Sequence, residues 1–376
     1  MIAAVKIMAN CLYRNFDITI LGESAPYPVH IAYGDHTAEG RFAHDAELAI
    51  WQRFFAALHQ PEPGEELLLN AGSALFSELF QTDVRDLWLR ARSDLERGTV
   101  EGLRLRLAML PPAVAALPWE FLYDPDRNTL FAAQQRTPVV RIERAYRHLG
   151  TARPRKATLP LRLLIAAPED ETAGIDADAE ITRLRSALSA LPSTSLTIDE
   201  LRGRVDVLAL RRALQERQID ILHVISHGAA DGLMLWRDEQ AYLAPAGALR
   251  ATMDQAPSVR LVVLNACHTG RIAGHTPFAT LAQQLLQTGV PAVVAMQSEI
   301  LDEDAITFAY HLYDELATGS HAGAIDAAVA GARSALYARN PDSSAYGTPV
   351  LWLNRNDQLF DLPAIAPIPE APRVSA

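Results

Sequence analysis

The chemistry this sequence offers lies in two side chains at two strand ends, the thiol of Cys267 and the imidazole of His227. Cys267 follows Leu261-Val262-Val263-Leu264-Asn265-Ala266, whose apolar, partly β-branched run predicts a buried parallel strand. His227 closes a strand of the same kind, Ile219-Asp220-Ile221-Leu222-His223-Val224-Ile225-Ser226, and is followed by Gly228. Open α/β sheets bind and react at the carboxyl ends of their strands. A cysteine attacks as its thiolate, and a neighbouring imidazole is the simplest way to make one near neutral pH. The separation, 267 − 227 = 40 residues, leaves room for a hairpin, a helix and the return to an adjacent parallel strand. Neighbouring strands stand about 4.8 Å apart, so side chains at the two ends can meet. Gly228 lets a substrate carbonyl approach closely, and its amide together with that of Cys267 makes an oxyanion-hole pair. Taken alone, the two ends fit an acyl-transfer site and, equally, a buried structural thiol beside a turn histidine. His223, on the strand face of His227, reads as a core histidine, and no third ligand stands at a metal-binding spacing, so no metal is expected.

The elements that must position these groups occupy a chain of 376 residues, long enough for two domains or one large α/β domain with an added lobe. Its 34 basic and 45 acidic residues leave a net charge of −11, and no basic run stands apart, which disfavours nucleic acid and anionic membranes as partners. Cys11 and Cys267 are the only cysteines, too few for a disulfide framework. With no signal-peptide pattern and no stretch of 18 apolar residues, the expectation is a soluble, cytoplasmic protein.

Strands are expected around Ile18 and Ile20, and around Val29 and Ile31, with the turn-rich Gly22-Glu23-Ser24-Ala25-Pro26 between them. Helical spacing follows at Leu48, Trp51, Phe55 and Leu58, then at Leu75, Phe76, Leu79 and Phe80, then over residues 84–95. Leu103, Leu105 and Leu107 alternate with Arg104 and Arg106, which predicts a half-buried strand with its arginines in water. Leu117-Pro118-Trp119-Glu120-Phe121-Leu122-Tyr123-Asp124 reads as a packed turn without a catalytic role, and residues 144–156 as a linker. Beyond it, strand and helix alternate, the rhythm of a mainly parallel sheet covered by helices. A hairpin over residues 233–243 is inserted between the histidine and cysteine strands, and Gly289 is placed to cap the helix after the cysteine. The expected division is an N-terminal α+β lobe over 1–156, a second lobe over 157–362 and a flexible tail over 363–376.

Ile225-Ser226-His227-Gly228 and Leu264-Asn265-Ala266-Cys267-His268-Thr269-Gly270 resemble the histidine and cysteine blocks of the CHAT family, caspase-like cysteine peptidases related to separase. The block from Leu117 to Asp124, and the run from Leu286 to Gln297 followed by Asp302-Glu303-Asp304-Ala305, are similar to further blocks of that family in the same order. The resemblance extends from about Phe16 to Leu362. It implies a caspase-like, mainly parallel sheet flanked by helices in the second lobe, behind a smaller α+β lobe. It also implies Cys267 as nucleophile, His227 as general base, Gly228 and Cys267 amides as oxyanion hole, a protein substrate, and no metal or organic cofactor.

Specificity is read from acidic residues. Glu169 and Asp170 follow the first strand of the second lobe, and Glu299, Asp302, Glu303 and Asp304 follow the strand ending at Gln297. A pocket drawing on Glu169, Asp170, Asp302 and Gln297 would prefer a basic residue, arginine before lysine, ahead of the cleaved bond. Asp302, Glu303 and Asp304 also suit a helix start. CHAT proteins are tied to bacterial immunity, so the resemblance implies a regulated effector, switched on by an activating protease or a sensor protein, with Arg271-Ile272-Ala273-Gly274-His275 as one place for cleavage. A silent interaction scaffold and a non-peptide acyl transferase remain the alternative readings.

Overall fold

In a computed structural model, the apolar runs and alternations of the sequence become the strands and helices of one sheet with covered faces. It describes residues 13–43, 49–58, 60, 62–142, 157–168, 177–226, 228–229, 232–238, 240–265, 279–298, 300–354 and 358–362. The first half holds β1 (Tyr13–Ile20), β2 (Tyr27–Tyr33), β3 (His36–Phe42), α1 (Ala49–Ala57), α2 (Glu65–Leu79), α3 (Thr82–Glu96), β4 (Gly102–Met109), α4 (Pro112–Ala115), β5 (Tyr123–Asp124), β6 (Thr129–Leu130) and β7 (Val139–Ile142). After it come β8 (Leu161–Pro168), α5 (Ala177–Leu188), β9 (Leu196–Gly203), α6 (Val207–Glu216), β10 (Ile221–Ile225), β11 (Gly228–Ala229), β12 (Gly232–Arg237), β13 (Gln240–Pro245) and α7 (Ala246–Asp254). The last elements are β14 (Leu261–Asn265), α8 (Ala279–Gln287), β15 (Ala292–Met296), α9 (Asp302–Thr318), α10 (Ile325–Arg339) and β16 (Pro349–Leu353).

Among the described residues, eleven strands share one mainly parallel sheet in the order β3-β2-β1-β4-β7-β16-β15-β14-β10-β8-β9. The N-terminal strands therefore continue the sheet of the second half, joined where β7 runs parallel to β16 with Arg141 opposite Trp352. The expected boundary at residue 156 and the tail beyond 363 lie outside the described residues.

The continuous apolar runs of β10 and β14 are explained by burial on both faces. Ile221, Ile225, Leu261 and Val263 pack with Leu184 of α5, Leu312 of α9 and Val329 of α10. Leu222, Val224, Val262 and Leu264 pack on the opposite side with Leu210 of α6, Leu249 of α7 and Leu285 of α8. At the end of α8, Gly289 takes a φ of 90°, the left-handed geometry expected of a cap.

Two expectations need correction, and one strand was not anticipated. Arg104 does not face water: it is buried, donating from Nε to Asp326 at 2.6 Å and from Nη1 to Asn15 at 2.8 Å. Arg106 is half-buried in a two-pronged pair with Asp17. The reason is that β4 is an inner strand, between β1 and β7, and α10 brings Asp326 over its second face. In α1 the buried stripe is Trp51, Phe54 and Ala57, while Phe55 is exposed. And β3, polar but for Ala38 and Phe42 on its inner side, carried too weak an alternation to predict; it is an edge strand with most of its side chains in solvent.

The segment read as a packed turn is one. Trp119 is buried in a single 3₁₀ turn and donates from Nε1 to the Val114 carbonyl at 2.8 Å. Helix α2 presses on it so closely that a Cβ at Gly72 would lie 1.9 Å from the Phe121 oxygen, so only glycine fits.

Candidate functional site

Strands β10 and β14 are neighbours, parallel and in register from Ile221↔Leu261 to Ile225↔Asn265. The Ser226 amide donates to the Asn265 carbonyl at 3.3 Å, so the two carboxyl ends finish level. His227 is the residue after Ser226, and Cys267 is two residues beyond Asn265. Both, with Glu169, Asp170, Glu299 and the 271–275 segment, lie outside the described residues. The expected hairpin is β12 paired with β13, and Gly228 opens β11, a short third strand added to it through Gly228↔Leu233. Ser226 Oγ ties the hairpin back by donating to the Met234 carbonyl at 3.0 Å.

Beneath these ends lies a polar contact that sequence reasoning missed. Asn265, 3% exposed, donates from Nδ2 to Oε1 of Glu180 at 3.0 Å, and Glu180 is itself only 2% exposed. The Asn265 Oδ1 is buried with no hydrogen-bond partner. Glu180 sits in the first turn of α5, where acidic residues are ordinary helix-dipole partners, and that disguised it. The signal was its spacing: positions 180, 184 and 188 recur every four residues, so the carboxylate shares the inward stripe of Leu184 and Leu188.

His223 is buried on the same sheet face, with Nδ1 2.7 Å from the Tyr313 hydroxyl of α9 and Nε2 without a partner. Burial pushes its pKa down to about 4, so the ring is neutral at neutral pH. Because the folded-state value is depressed below the ordinary 6.5, the unfolded chain takes up this proton first as pH falls. The stabilisation is complete above pH 6.5 and is lost on descending toward pH 4, by about 3 kcal/mol. Urea denaturation at stepped pH is expected to show this slope, and His223→Asn to flatten it.

The remaining predicted pocket residues have partners. Asp302 begins α9 and pairs with Arg183 Nη2 at 2.7 Å in a half-exposed bridge. Glu303 and Asp304, on the same turn, both face Arg339, at 2.5 and 3.8 Å. Burial pushes the Asp304 carboxyl up, with Arg339 opposing and Glu303 assisting. Gln297 leaves the end of β15 with its amide drawn into the junction with the N-terminal strands: Nε2 donates to Glu120 at 3.1 Å and to the Gly347 carbonyl at 2.5 Å. Among the described residues, no cluster of His, Cys, Asp and Glu is arranged to hold a metal ion, and no helix is long and apolar enough to cross a membrane.

Among solved structures, the chain is similar to separase in its complex with securin from Saccharomyces cerevisiae, with 13% identity and a TM-score of 0.41 over 81% of this chain and 22% of that one. It is similar to a secreted C11 cysteine protease from Bacteroides thetaiotaomicron bound to an irreversible peptide inhibitor, with 14% identity and a TM-score of 0.33 over 48% of this chain and 59% of that one. For pro-sf-caspase-1 the values are 11% and 0.31, over 55% of this chain and 96% of that one. The chain thus spans less than a quarter of the separase chain and about three-fifths of the C11 protease. No curated protein matches it significantly. The CHAT domain model matches residues 69–358, most of the sheet and its covering helices, and the chain belongs to the CHAT domain family.

Proposed function

We propose that this protein is a cysteine endopeptidase that hydrolyses protein substrates with Cys267 as nucleophile and His227 as general base. The observation that supports the reading is the level finish of the neighbouring strands β10 and β14, because open α/β sheets react at the carboxyl ends of adjacent strands and His227 and Cys267 follow these two in sequence. In this mechanism His227 takes the Cys267 proton, and the thiolate adds to the scissile carbonyl. The amides of Gly228 and Cys267 hold the oxyanion, and the imidazolium returns its proton to the leaving amine. Water, deprotonated by the same imidazole, then releases the acyl group from sulfur. The reading includes a role as a regulated bacterial defence or cell-death effector, activated by proteolysis or by a partner.

A basic residue before the cleaved bond, arginine ahead of lysine, is the specificity this proposal adopts. Its main support is Glu180, a carboxylate buried against Asn265 two residues ahead of the nucleophile, with Glu169 and Asp170 shortly before it in sequence. In a desolvated pocket a carboxylate recognises a guanidinium by paired, charge-assisted hydrogen bonds. Glu180→Gln keeps the shape and the Asn265 contact while removing the charge. It is expected to lower kcat/KM for arginine peptides by about 30–100-fold, with a much smaller effect on a neutral side chain at that position. A peptide library run on both proteins reads this out, and strict cleavage after aspartate would sink the basic pocket.

A further inference from the structure

The buried pair Glu120–Arg141 has a third member that an ion pair does not require. Glu120, 0% exposed, accepts from Arg141 Nε at 2.9 Å and Nη2 at 2.6 Å. Arg141 also donates to the carbonyls of Ala115 at 2.7 Å and Leu117 at 3.3 Å, which locks the 115–120 segment around it. Oε2 of Glu120 then takes a further hydrogen bond from Gln297, a residue 177 positions away at the end of β15. Gln297 is held on all sides: its Nε2 also reaches the Gly347 carbonyl, its Oε1 faces Arg141 Nη2 at 3.4 Å, and its backbone amide donates to the Thr348 carbonyl at 2.9 Å. Ser298 adds a hydroxyl contact to Thr348 at 2.9 Å.

The position of that turn gives the network its meaning. Strand β15 lies beside β14 with Ala295 opposite Leu264. Gln297 is two residues past the first and Cys267 three past the second, on strands about 4.8 Å apart. The turn tethered by Gln297 therefore leaves the strand that flanks β14 on the side away from β10, and β14 is the strand that leads to Cys267 in sequence.

We infer that Glu120 is a positioning residue for the cleavage site, acting through Gln297 to fix the turn that leaves β15 beside Cys267; this rests on the protease reading above. Its consequence is that the N-terminal half is part of the working enzyme, since the carboxylate, in the 3₁₀ turn at 119–121, and the arginine that aims it, on β7, both come from it. Misplacement of a reacting group by about 1 Å can cost up to about a hundredfold in rate, so a loosened turn shows in turnover before it shows in affinity.

The test compares wild type, Gln297→Met, Glu120→Gln and the double variant on one cleavable peptide, with thermal melting alongside. Gln297→Met leaves the ion pair intact, and is expected to lower kcat about tenfold with KM within about twofold. Glu120→Gln is expected to move kcat in the same direction, and the double variant to be no worse than the poorer single one, because both act along one path. If Glu120→Gln does not fold, Gln297→Met decides alone. A kcat within about twofold of wild type, or a loss carried by KM, overturns the inference, the second because it makes Gln297 a substrate contact. If wild type cleaves no peptide, the protease reading fails by itself, and the comparison passes to the rate at which iodoacetamide alkylates Cys267. A drop of about tenfold in Gln297→Met then supports positioning, and an unchanged rate overturns it.

Discussion

Replacing His227 with alanine is expected to lower peptide turnover by about 10³–10⁴-fold while leaving the fold intact. The size follows from two losses at once. On the proposed reading the imidazole makes the thiolate, and an unassisted thiol, with a pKa of about 8.5, is only a few per cent ionised at neutral pH. The leaving amine also loses its proton donor. Stability should scarcely change, since the strand leading to this position is held by partners of its own: the Ser226 amide on Asn265, the Ser226 hydroxyl on Met234, and five register pairs with β14. Steady-state kinetics with a peptide chosen from a library, together with a melting curve, measures both. Turnover within tenfold of wild type in a folded His227→Ala protein would remove the imidazole from the mechanism.

The largest effect on stability is expected at the seam between β7 and β16. Arg141→Met strips Glu120 of both guanidinium hydrogen bonds and leaves a fully buried carboxylate that still accepts from Gln297. Breaking one side of a buried pair costs about 3–5 kcal/mol, because the surviving charge has no water to return to. A second cation tempers this. Arg333 is also fully buried, donating to the carbonyls of Pro349 and Val139, and its pKa is pushed down to about 10 chiefly by burial, with Glu120 opposing and Arg141 adding to the fall. Removing Arg141 relieves that repulsion and leaves Glu120 to face Arg333, which offsets part of the loss. The net expectation stays near the lower end of the range, about 3 kcal/mol in urea denaturation. The double replacement Glu120→Leu with Arg141→Met should recover most of it, since no orphaned charge remains. A single Arg141→Met variant within 1 kcal/mol of wild type would show the pair to be energetically idle.

Much of this arrangement was legible in the residues, and the exceptions have physical reasons. Runs such as Leu261-Val262-Val263-Leu264 and Ile219-Asp220-Ile221-Leu222 have apolar side chains for both faces of a sheet, so their burial between two helix layers could be read directly. The hairpin was legible from its alternation and the charged residues between its arms. The alternation of Leu103, Leu105 and Leu107 with arginines was equally clear, but alternation cannot distinguish a solvated face from one covered by a countercharge 222 residues away, which is what Asp326 supplies to Arg104. The joining of both halves into one sheet was invisible for a similar reason: Arg141 meets Trp352 at a separation of 211 positions, 352 − 141, and nothing local marks β7 as an inner strand. At the candidate site, the parallel pairing of the two strands that lead to His227 and Cys267 was legible, while both residues themselves lie outside the described residues. Glu180 passed unnoticed, since an acidic residue in the first turn of a helix is ordinary, and Gln297 was expected to line the pocket as an end-of-strand amide. Only packing shows the first turned inward on Asn265 and the second bound to Glu120.

The most direct test of the central claim is to incubate wild type and Cys267→Ala with casein and a peptide library, activating the wild type by limited proteolysis where needed, and to identify products by mass spectrometry. The account predicts cleavage by wild type, after arginine before lysine, and a loss of at least about 10⁴-fold in Cys267→Ala with the same fold. Cleavage that survives in Cys267→Ala, or an activated wild type that cuts nothing, would contradict it.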